Sequence, residues 1–396
     1  MPFFRDLSVS AASAGFVAVL VGFTSSVALV FQAAQAFGAS EAVIASWMWA
    51  LGIGMGLTTA LPSLLLKKPV MIAWSTPGAA VLASAGVGFD LAQATGAFIV
   101  CALLITLSGV TGWFERVMSR IPMAIAAGLL AGVLASFGMA AFSAAQTALP
   151  LVLLMLASYL LGKRWLPRYA VPLTLAASIA FAAAQGQVAW SEVQWELTRP
   201  VWTTPRFTWQ AAVSVALPLF VVTMASQNVP GVAVIRATGY HMPISRLISL
   251  SGVATLLLAP FGGYTFNLAA ITAAICMGPE AHPEPARRYT AAVVCGVLYI
   301  GIGLFGAAVA GLLIAFPREL VAAIAGLALL STIGGGLVAA LQDEAHREPA
   351  LITFLVTASG LTLGGIGSAF WGVVAGSIAL MVADMGRKSG AGPATP

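Results

Sequence analysis

The sequence predicts an all-α polytopic membrane protein with about fourteen transmembrane segments, arranged as two inverted repeats of seven. Only 8% of its 396 residues are charged and 60% are hydrophobic, with a mean hydropathy of +0.98. A soluble protein carries roughly 25% charged residues, so this chain has too few polar groups to cover a surface exposed to water. Uncharged apolar runs recur from end to end, and two of them are interrupted by polar residues, proline and glycine.

Apolar runs bounded by charged residues, proline or glycine define the predicted spans. Met1 to Asp6 makes a poor signal-peptide leader because it holds one Arg and one Asp, so we expect the first run to be retained as a helix. Spans three and ten are too short to cross a bilayer as straight helices, which need about 20 residues. The predicted limits are 11–36, 42–66, 71–86, 91–114, 121–142, 146–162, 169–187, 210–236, 243–260, 265–279, 287–313, 319–341, 350–363 and 366–385.

The loops between these spans divide the basic residues unevenly. With the N-terminus in the cytoplasm, fifteen Lys and Arg residues fall on the cytoplasmic side and three on the outside, as the positive-inside rule requires. This predicts a multi-pass membrane protein with both termini in the cytoplasm. The cytoplasmic set is Arg5, Lys67, Lys68, Arg116, Arg120, Lys163, Arg164, Arg168, Arg236, Arg246, Arg287, Arg288, Arg347, Arg387 and Lys388, and the outer set is Arg199, Arg206 and Arg318.

The two halves of the chain are weakly similar, and an odd number of spans per half makes the second half enter from the opposite side. We predict a first repeat over 1–187, an extracytoplasmic connecting loop over 188–209 and a second repeat over 210–396. The residue matches are Val100 with Val294, Pro122 with Pro317 and Thr76 with Thr265, at offsets of 194, 195 and 189 residues.

The interrupted segments are spans three and ten. In lipid, backbone N–H and C=O groups without partners cost several kcal/mol each unless they are buried in protein or wetted. Pro77 with Gly78, and Gly262 with Gly263, therefore predict non-helical backbone inside the protein, followed by half-helices whose positive N-terminal ends face each other. Such a pair makes an anion site without Lys or Arg. The alternative is a simple proline kink without a ligand.

Few polar and aromatic residues lie near that level. Gln227 and Asn228 are the sharpest pair, because an amide in a membrane core needs a partner, which is either a ligand or another helix. No Asp, Glu, His, Lys or Arg lies convincingly inside a span, so we assign no proton-coupling residue. The predicted substrate-binding residues are Thr24, Ser25, Ser75, Thr76, Pro77, Gly78, Ser226, Gln227, Asn228, Tyr264, Thr265, Phe266 and Asn267.

Signals for other functional classes are missing from the sequence. Cys101, Cys276 and Cys295 all sit in apolar runs, without the spacing of a metal site or of a disulfide framework. There is no zinc-binding His pair, Walker loop or Ser/His/Asp set at a plausible membrane depth. We therefore expect no enzymatic activity, no cofactor, no metal and no nucleic-acid partner.

The stretches Ser75–Ala80, Ser226–Gly231 and Gly262–Asn267, with the overall pattern of nearly the whole chain, resemble the benzoate/proton symporter (BenE) family. That family is similar in architecture to the nucleobase/ascorbate transporters and the sulfate permeases. The resemblance implies a core domain (about 11–114 plus 210–313), a gate domain (about 121–187 plus 319–385), an elevator-like movement between them and a homodimer through the gate.

The resemblance further implies a secondary active transporter that imports benzoate with protons across a bacterial cytoplasmic (inner) membrane. Nucleobase transporters usually carry acidic residues on spans eight and ten, where this chain has Gln227, Asn228 and Asn267. A neutral pocket lined by helix dipoles suits an anionic carboxylate better than a nucleobase. Two alternatives stay open: a transporter of another small anion or a nucleobase on the same fold, and an anion channel.

Overall fold

The computed structural model describes residues 2–24, 26–86, 88–112, 123–193, 195–279, 281–361, 363 and 368–390. Ser25, one of the predicted binding residues, lies outside the described residues, as do parts of spans four, five, thirteen and fourteen. Over the described residues the chain is almost entirely helical, with one two-stranded sheet. Helices dominate because a helix pairs its own backbone groups, which lipid cannot do.

Every predicted span of the first half coincides with helical structure. Span one is two helices that meet near Ser26, and span three is a short strand followed by a helix. The helices are α1 (Pro2–Asp6), α2 (Val9–Thr24), α3 (Val27–Ala36), α4 (Glu41–Leu66), α5 (Thr76–Ala85), α6 (Leu91–Val110), α7 (Met123–Ser143), α8 (Ala145–Trp165) and α9 (Ala170–Ala184), and the strand is β1 (Ile72–Trp74).

The second half repeats this organisation. Helix α10 runs from Trp209 to Ala237 and contains two π-helical turns, Ala212–Ala216 and Met224–Asn228. Span eleven, predicted as one segment, is two helices that separate at Phe305. The remaining elements are α11 (Ile244–Leu258), β2 (Phe266–Leu268), α12 (Ile271–Met277), α13 (Tyr289–Leu304), α14 (Gly306–Ala315), α15 (Arg318–Leu341), α16 (Arg347–Ala358) and α17 (Ser368–Gly390).

Within the described residues, nine helical segments are long and apolar enough to cross a membrane. Three further apolar helices, which include α9 and α14, are shorter. The chain is thus a polytopic helical membrane protein, as predicted. The count of fourteen crossing segments stays a prediction, because the length of a half-helix or short helix does not show whether it crosses the membrane.

The helices pack in pairs that exchange partners between the two halves. Helix α4 packs along α13, and α6 packs along α11. Span two thus packs on span eleven, and span four packs on span nine. Each pair contains one helix from each half of the chain. Reciprocal pairing of this kind is what two repeats related by a twofold axis produce, and it supports the predicted repeat.

Strands β1 and β2 pair antiparallel at the centre of the molecule, with Ala73 opposite Asn267. Their outer edges are closed by side chains from neighbouring helices. The Thr59 hydroxyl of α4 accepts from the Ile72 N–H and donates to the Ile72 carbonyl oxygen, both at 3.0 Å. On the other edge the Phe266 N–H donates to Thr255 Oγ1 of α11 at 3.1 Å. The non-helical backbone is therefore paired without water, as a membrane interior requires.

The structure corrects the predicted alignment of the two interrupted segments. The sequence pattern pairs Thr76 with Thr265, at an offset of 189 residues. The first residues of the two half-helices, 76 and 271, are instead 195 positions apart, which agrees with the offsets of the other matches. Thr265 precedes the strand β2 and is the counterpart of no residue in helix α5. The error arose because short apolar segments offer many chance matches.

The two ends of the helical bundle differ in the residues they carry. The connecting loop 188–209 crosses one end, where the Val201 N–H donates to Ser46 Oγ at 2.9 Å and the Arg206 N–H to the Ala92 carbonyl oxygen at 2.8 Å. Lys67 lies at the other end and donates to Tyr289 Oη at 3.0 Å. The structure thus separates the connecting loop from a basic end, as the charge distribution predicts.

Close packing of α4 on α13 depends on glycine. A Cβ atom on Gly296 would lie 2.7 Å from the Gly56 carbonyl oxygen, and one on Gly52 would lie 2.5 Å from Gly303 Cα. Backbone atoms cannot move aside as the end of a side chain can. Small residues at such positions let membrane helices approach closely.

We predict that Gly296→Ala lowers the free energy of unfolding by about 1–3 kcal/mol, the usual cost of overpacking a core. The matched control is Gly301→Ala in the same helix, where a Cβ meets nothing within 4 Å. Alanine there should keep or raise stability, since it is the better helix former by about 1 kcal/mol. Thermal unfolding in detergent measures both, and equal melting temperatures would contradict the packing argument.

Candidate functional site

A cavity of about 210 Å³ lies beside the small sheet, where both half-helices begin. It is bounded by α2, α4, β1, α5, α10, α12 and α13, so both halves of the chain contribute to it. Its lining residues are Gly22, Met55, Ala73, Trp74, Thr76, Ser226, Gln227, Ala269, Ala270, Ile271, Thr272 and Tyr299. This is the position that the interrupted segments predict for a ligand.

The two half-helices present different N-termini to this cavity. Helix α5 is capped by its own sequence, because Ser75 Oγ accepts from the Gly78 N–H at 3.0 Å and Pro77 has no N–H. Helix α12 has Ala270 at its N-cap position, and alanine has no side chain that can cap. The first N–H groups of a helix lack partners within that helix. The positive end of α12 is therefore the more open of the two.

Thr272, in the first turn of α12, is a second feature that indicates a ligand at this end of the cavity. It is 5% exposed, it lines the cavity, and its hydroxyl has no hydrogen-bond partner among the described residues. A buried hydroxyl without a partner costs about 1–3 kcal/mol. A polar group of a ligand in the cavity would relieve that cost, and Thr76 and Gln227 line the same space.

Aromatic and small residues form the rest of the wall. Trp74 is 4% exposed, its Nε1 donates to Ser26 Oγ at 2.8 Å, and its ring lies 5.4 Å from that of Phe23. Gly22 leaves room in front of Tyr299, since a Cβ there would lie 3.0 Å from the Tyr299 hydroxyl. The Trp74 indole is therefore held in place, and Gly22 leaves the space next to the Tyr299 hydroxyl open.

Gln227 and Asn228 are neighbours in sequence but face different surroundings. Both lie in the π-helical turn Met224–Asn228, a type of distortion that is frequent at functional sites. Gln227 lines the cavity, together with Ser226. Asn228 is fully buried, and its Oδ1 accepts from the Leu268 N–H of β2 at 2.9 Å. One amide thus faces the cavity and the other closes the edge of the sheet.

Several predicted residues lie behind the cavity wall and support it. The Tyr264 hydroxyl donates to the Ser75 carbonyl oxygen at 3.1 Å. Phe266 is fully buried, and its ring fills the space in front of Gly54, where a Cβ would lie 2.1 Å from it. With its amide oriented to satisfy its neighbours, Asn267 accepts from the Ser75 N–H at 3.0 Å. These side chains hold the non-helical segments together.

The other predicted residues are not on the cavity wall either. Thr265 is fully buried, and its hydroxyl has no partner among the described residues. Thr24 donates to the Leu20 carbonyl oxygen of its own helix at 2.7 Å. Pro77 and Gly78 are buried in the first turn of α5. Of the predicted set, the cavity holds Thr76, Ser226 and Gln227, and the role of every residue as a ligand contact stays a prediction.

The other residues of the cavity wall are not in the predicted binding set. Trp74 lies in the short span three and Thr272 in the short span ten, so the interruption of these spans is a sequence signal that could have identified both residues. Gly22, Met55 and Tyr299 belong to ordinary apolar runs, and only packing brings them together. Among the lining residues there is no Asp, Glu, His, Lys or Arg. Any charge that the cavity attracts is therefore balanced by helix dipoles and hydroxyl or amide groups.

Comparison with known proteins agrees with the resemblance found in the sequence. The chain is similar to the inner membrane protein YdcO of Escherichia coli (strain K12), 48% identical over 372 residues that cover 94% of this chain and 95% of that protein. It is also similar to the benzoate membrane transport protein of Acinetobacter baylyi, 39% identical over 378 residues and 96% of each chain.

Among solved structures, the fold is similar to the transmembrane domain of the cyanobacterium bicarbonate transporter BicA. The TM-score is 0.52 with 15% identity, over 96% of this chain and 98% of that one. At that identity the likeness shows a shared fold, and it confirms the predicted fold class of a polytopic helical membrane protein.

The sequence model of one family, described as benzoate membrane transport protein (BenE), matches residues 5–382. With the two relatives above, this confirms that the protein is a transporter and not an enzyme. The chain belongs to the BenE family of membrane transporters.

Proposed function

We propose that this protein imports benzoate, or a closely related aromatic carboxylate, together with protons across the bacterial cytoplasmic membrane. The observation that carries the proposal is the cavity of about 210 Å³ at the start of the two half-helices. Its wall combines hydroxyl and amide groups without fixed charge with aromatic side chains, and benzoate likewise combines a carboxylate with an aromatic ring. The name of the Acinetobacter baylyi relative supports the same substrate class.

The carboxylate is proposed to lie beside Thr272. Thr272 supplies a buried hydroxyl without a partner among the described residues, and Thr76 and Gln227 line the same space. The N-terminus of α12 contributes the positive end of its dipole, worth about half an elementary charge in a full helix. The ring is proposed to lie against Trp74 and Tyr299.

Alternating access is proposed to follow an elevator movement of the core (about 11–114 plus 210–313) against the gate (about 121–187 plus 319–385). Helices α4, α6, α11 and α13 pack on one another, and α7, α15, α16 and α17 form a second such group. This grouping of contacts supports the proposed division into core and gate. We propose that a homodimer forms through the gate, and we assign no residue to proton coupling.

The proposal predicts saturable uptake of labelled benzoate into proteoliposomes that carry an inward proton gradient. Accumulation should collapse with a protonophore and should be absent without the gradient. Saturable uptake that ignores the gradient would contradict proton coupling. Flux that never exceeds equilibrium would favour an anion channel. Competition by sulfate, bicarbonate or uracil, with none by benzoate, would move the substrate to another small anion or a nucleobase.

Thr272→Val removes the hydroxyl and keeps the shape of the side chain. We expect it to raise the KM for benzoate about tenfold or more, because a hydrogen bond to a charged group contributes about 1.5–3 kcal/mol. The melting temperature without benzoate should not fall, since this hydroxyl has no partner to lose among the described residues.

The matched control is Thr357→Val in α16. Thr357 is also 5% exposed with a hydroxyl that lacks a partner in the described structure, but it does not line the cavity. Its KM should stay within about twofold of the wild type, since no hydrogen bond to the ligand is removed. Equal effects of the two substitutions would remove the carboxylate position proposed here.

The proposed orientation places the connecting loop outside the cell and both termini inside. The three native cysteines are buried, so we expect a maleimide to label only the introduced cysteine. In intact cells a membrane-impermeant maleimide should label Glu196→Cys in the connecting loop. It should label Glu344→Cys, whose native side chain is 88% exposed, only after the membrane is opened. The reverse pattern would invert the topology.

A further inference from the structure

We propose that the cavity accepts benzoates that carry a substituent ortho to the carboxylate, and that Gly22 of α2 is the residue that permits this. The inference rests on the proposed function and extends it to a wider class of aromatic carboxylates. Gly22 lines the cavity together with Thr272 and Tyr299. These residues belong to α2, α12 and α13, so three helices meet at this part of the wall.

Gly22 faces two side chains at once. A Cβ atom on Gly22 would lie 2.9 Å from Thr272 Cγ2 and 3.0 Å from the Tyr299 hydroxyl oxygen. Carbon atoms in favourable contact lie about 3.5–4.0 Å apart, so both distances are too short. Only a residue without a side chain leaves this part of the cavity as wide as it is.

Neither neighbour of Gly22 can easily make room for a larger residue. Thr272 is 5% exposed and Tyr299 is 2% exposed, so other atoms surround both side chains. Threonine is branched at Cβ and therefore stiff at χ1, and the tyrosine ring is rigid. A methyl group added at position 22 would thus reduce the space in the cavity, because the wall cannot yield to it without cost.

The two neighbours of Gly22 have different parts in the proposed binding of benzoate. The carboxylate is proposed to lie beside Thr272, and the ring against Tyr299. Gly22 is next to both, so it borders the bond that joins the carboxylate to the ring. The ortho positions of the ring flank that bond, whereas the para position lies at the far end of the ring. A side chain at position 22 would therefore meet an ortho substituent and not a para substituent.

A second glycine of α2 separates this effect from helix packing. Helix α2 packs on α13, and a Cβ atom on Gly15 would lie 2.6 Å from the Ala291 carbonyl oxygen of α13. Gly15 does not line the cavity. Both glycines are thus close to α13, but only Gly22 also shapes the cavity, which makes Gly15 the matched control.

The test compares 2-methylbenzoate with 4-methylbenzoate, two anions at neutral pH that differ only in the position of the methyl group. Each competes with labelled benzoate for uptake into proteoliposomes, and the ratio of the ortho to the para inhibition constant is measured. The ratio cancels any loss of carboxylate binding that both ligands share. For the wild type we expect it to stay within about threefold of one, since a cavity with room for both methyl groups discriminates little between them.

Gly22→Ala should raise this ratio about tenfold or more, the usual effect of one methyl group too many in a tight pocket. Adding Thr272→Ser removes the methyl group nearest to the new Cβ and keeps the hydroxyl, so the ratio should return toward the wild-type value. Gly15→Ala should lower the melting temperature and leave the ratio within about twofold of the wild type, because it does not change the cavity. An equal rise of the ratio in Gly15→Ala would overturn the inference, since packing of α2 would then control selectivity.

The wild type alone can also overturn the inference, which covers the case that Gly22→Ala does not fold. A ratio of about ten or more in the wild type would show that the cavity excludes ortho substituents. Benzoate uptake with an unchanged ratio in folded Gly22→Ala would remove only the role of Gly22 and leave the proposed function standing. Absence of benzoate uptake by the wild type would remove the proposed function, and this inference with it.

Discussion

The structure depends on one constraint: backbone that is not helical inside a membrane protein must find partners without water. Strands β1 and β2 satisfy each other's inner edges, and Thr59, Thr255 and Asn228 satisfy their outer edges. Without these three side chains, two helices could not begin in the middle of the protein. The cavity exists because the chain can stop and restart its helices at that depth.

That arrangement also makes the two halves of the site unequal. The start of α5 is closed by Ser75 and Pro77, whereas α12 starts at Ala270, which cannot cap it. An inverted repeat would supply two similar helix ends, and local sequence has kept only one of them open. The cavity therefore has one open helix end, beside hydroxyl, amide and aromatic groups, which suits the proposed ligand with a single carboxylate on a ring.

The remaining features of the molecule keep this centre in place relative to the membrane. Glycines let α4 and α13 approach closely, and the connecting loop is fastened at one end of the bundle through Ser46. Arg288 is buried at the other end, where its guanidinium donates to the carbonyl oxygen of Met277, the last residue of α12, at 2.8 Å. A cation at that position complements the negative end of the same half-helix whose positive end faces the cavity.

Hydropathy, charge and proline or glycine act locally, so the sequence alone predicts the membrane class, the family, the position of the spans and the two interrupted segments. The breaks within spans one and eleven are visible only in the structure. The sequence also predicted Thr76, Ser226 and Gln227 on the cavity wall. Long-range packing places Asn228 against the sheet and Gln227 on the cavity wall, because residues some 40 positions away in the chain set what each side chain meets. Only packing brought Gly22 and Tyr299 together, because no local signal in an apolar helix records which residues of a distant helix it will meet.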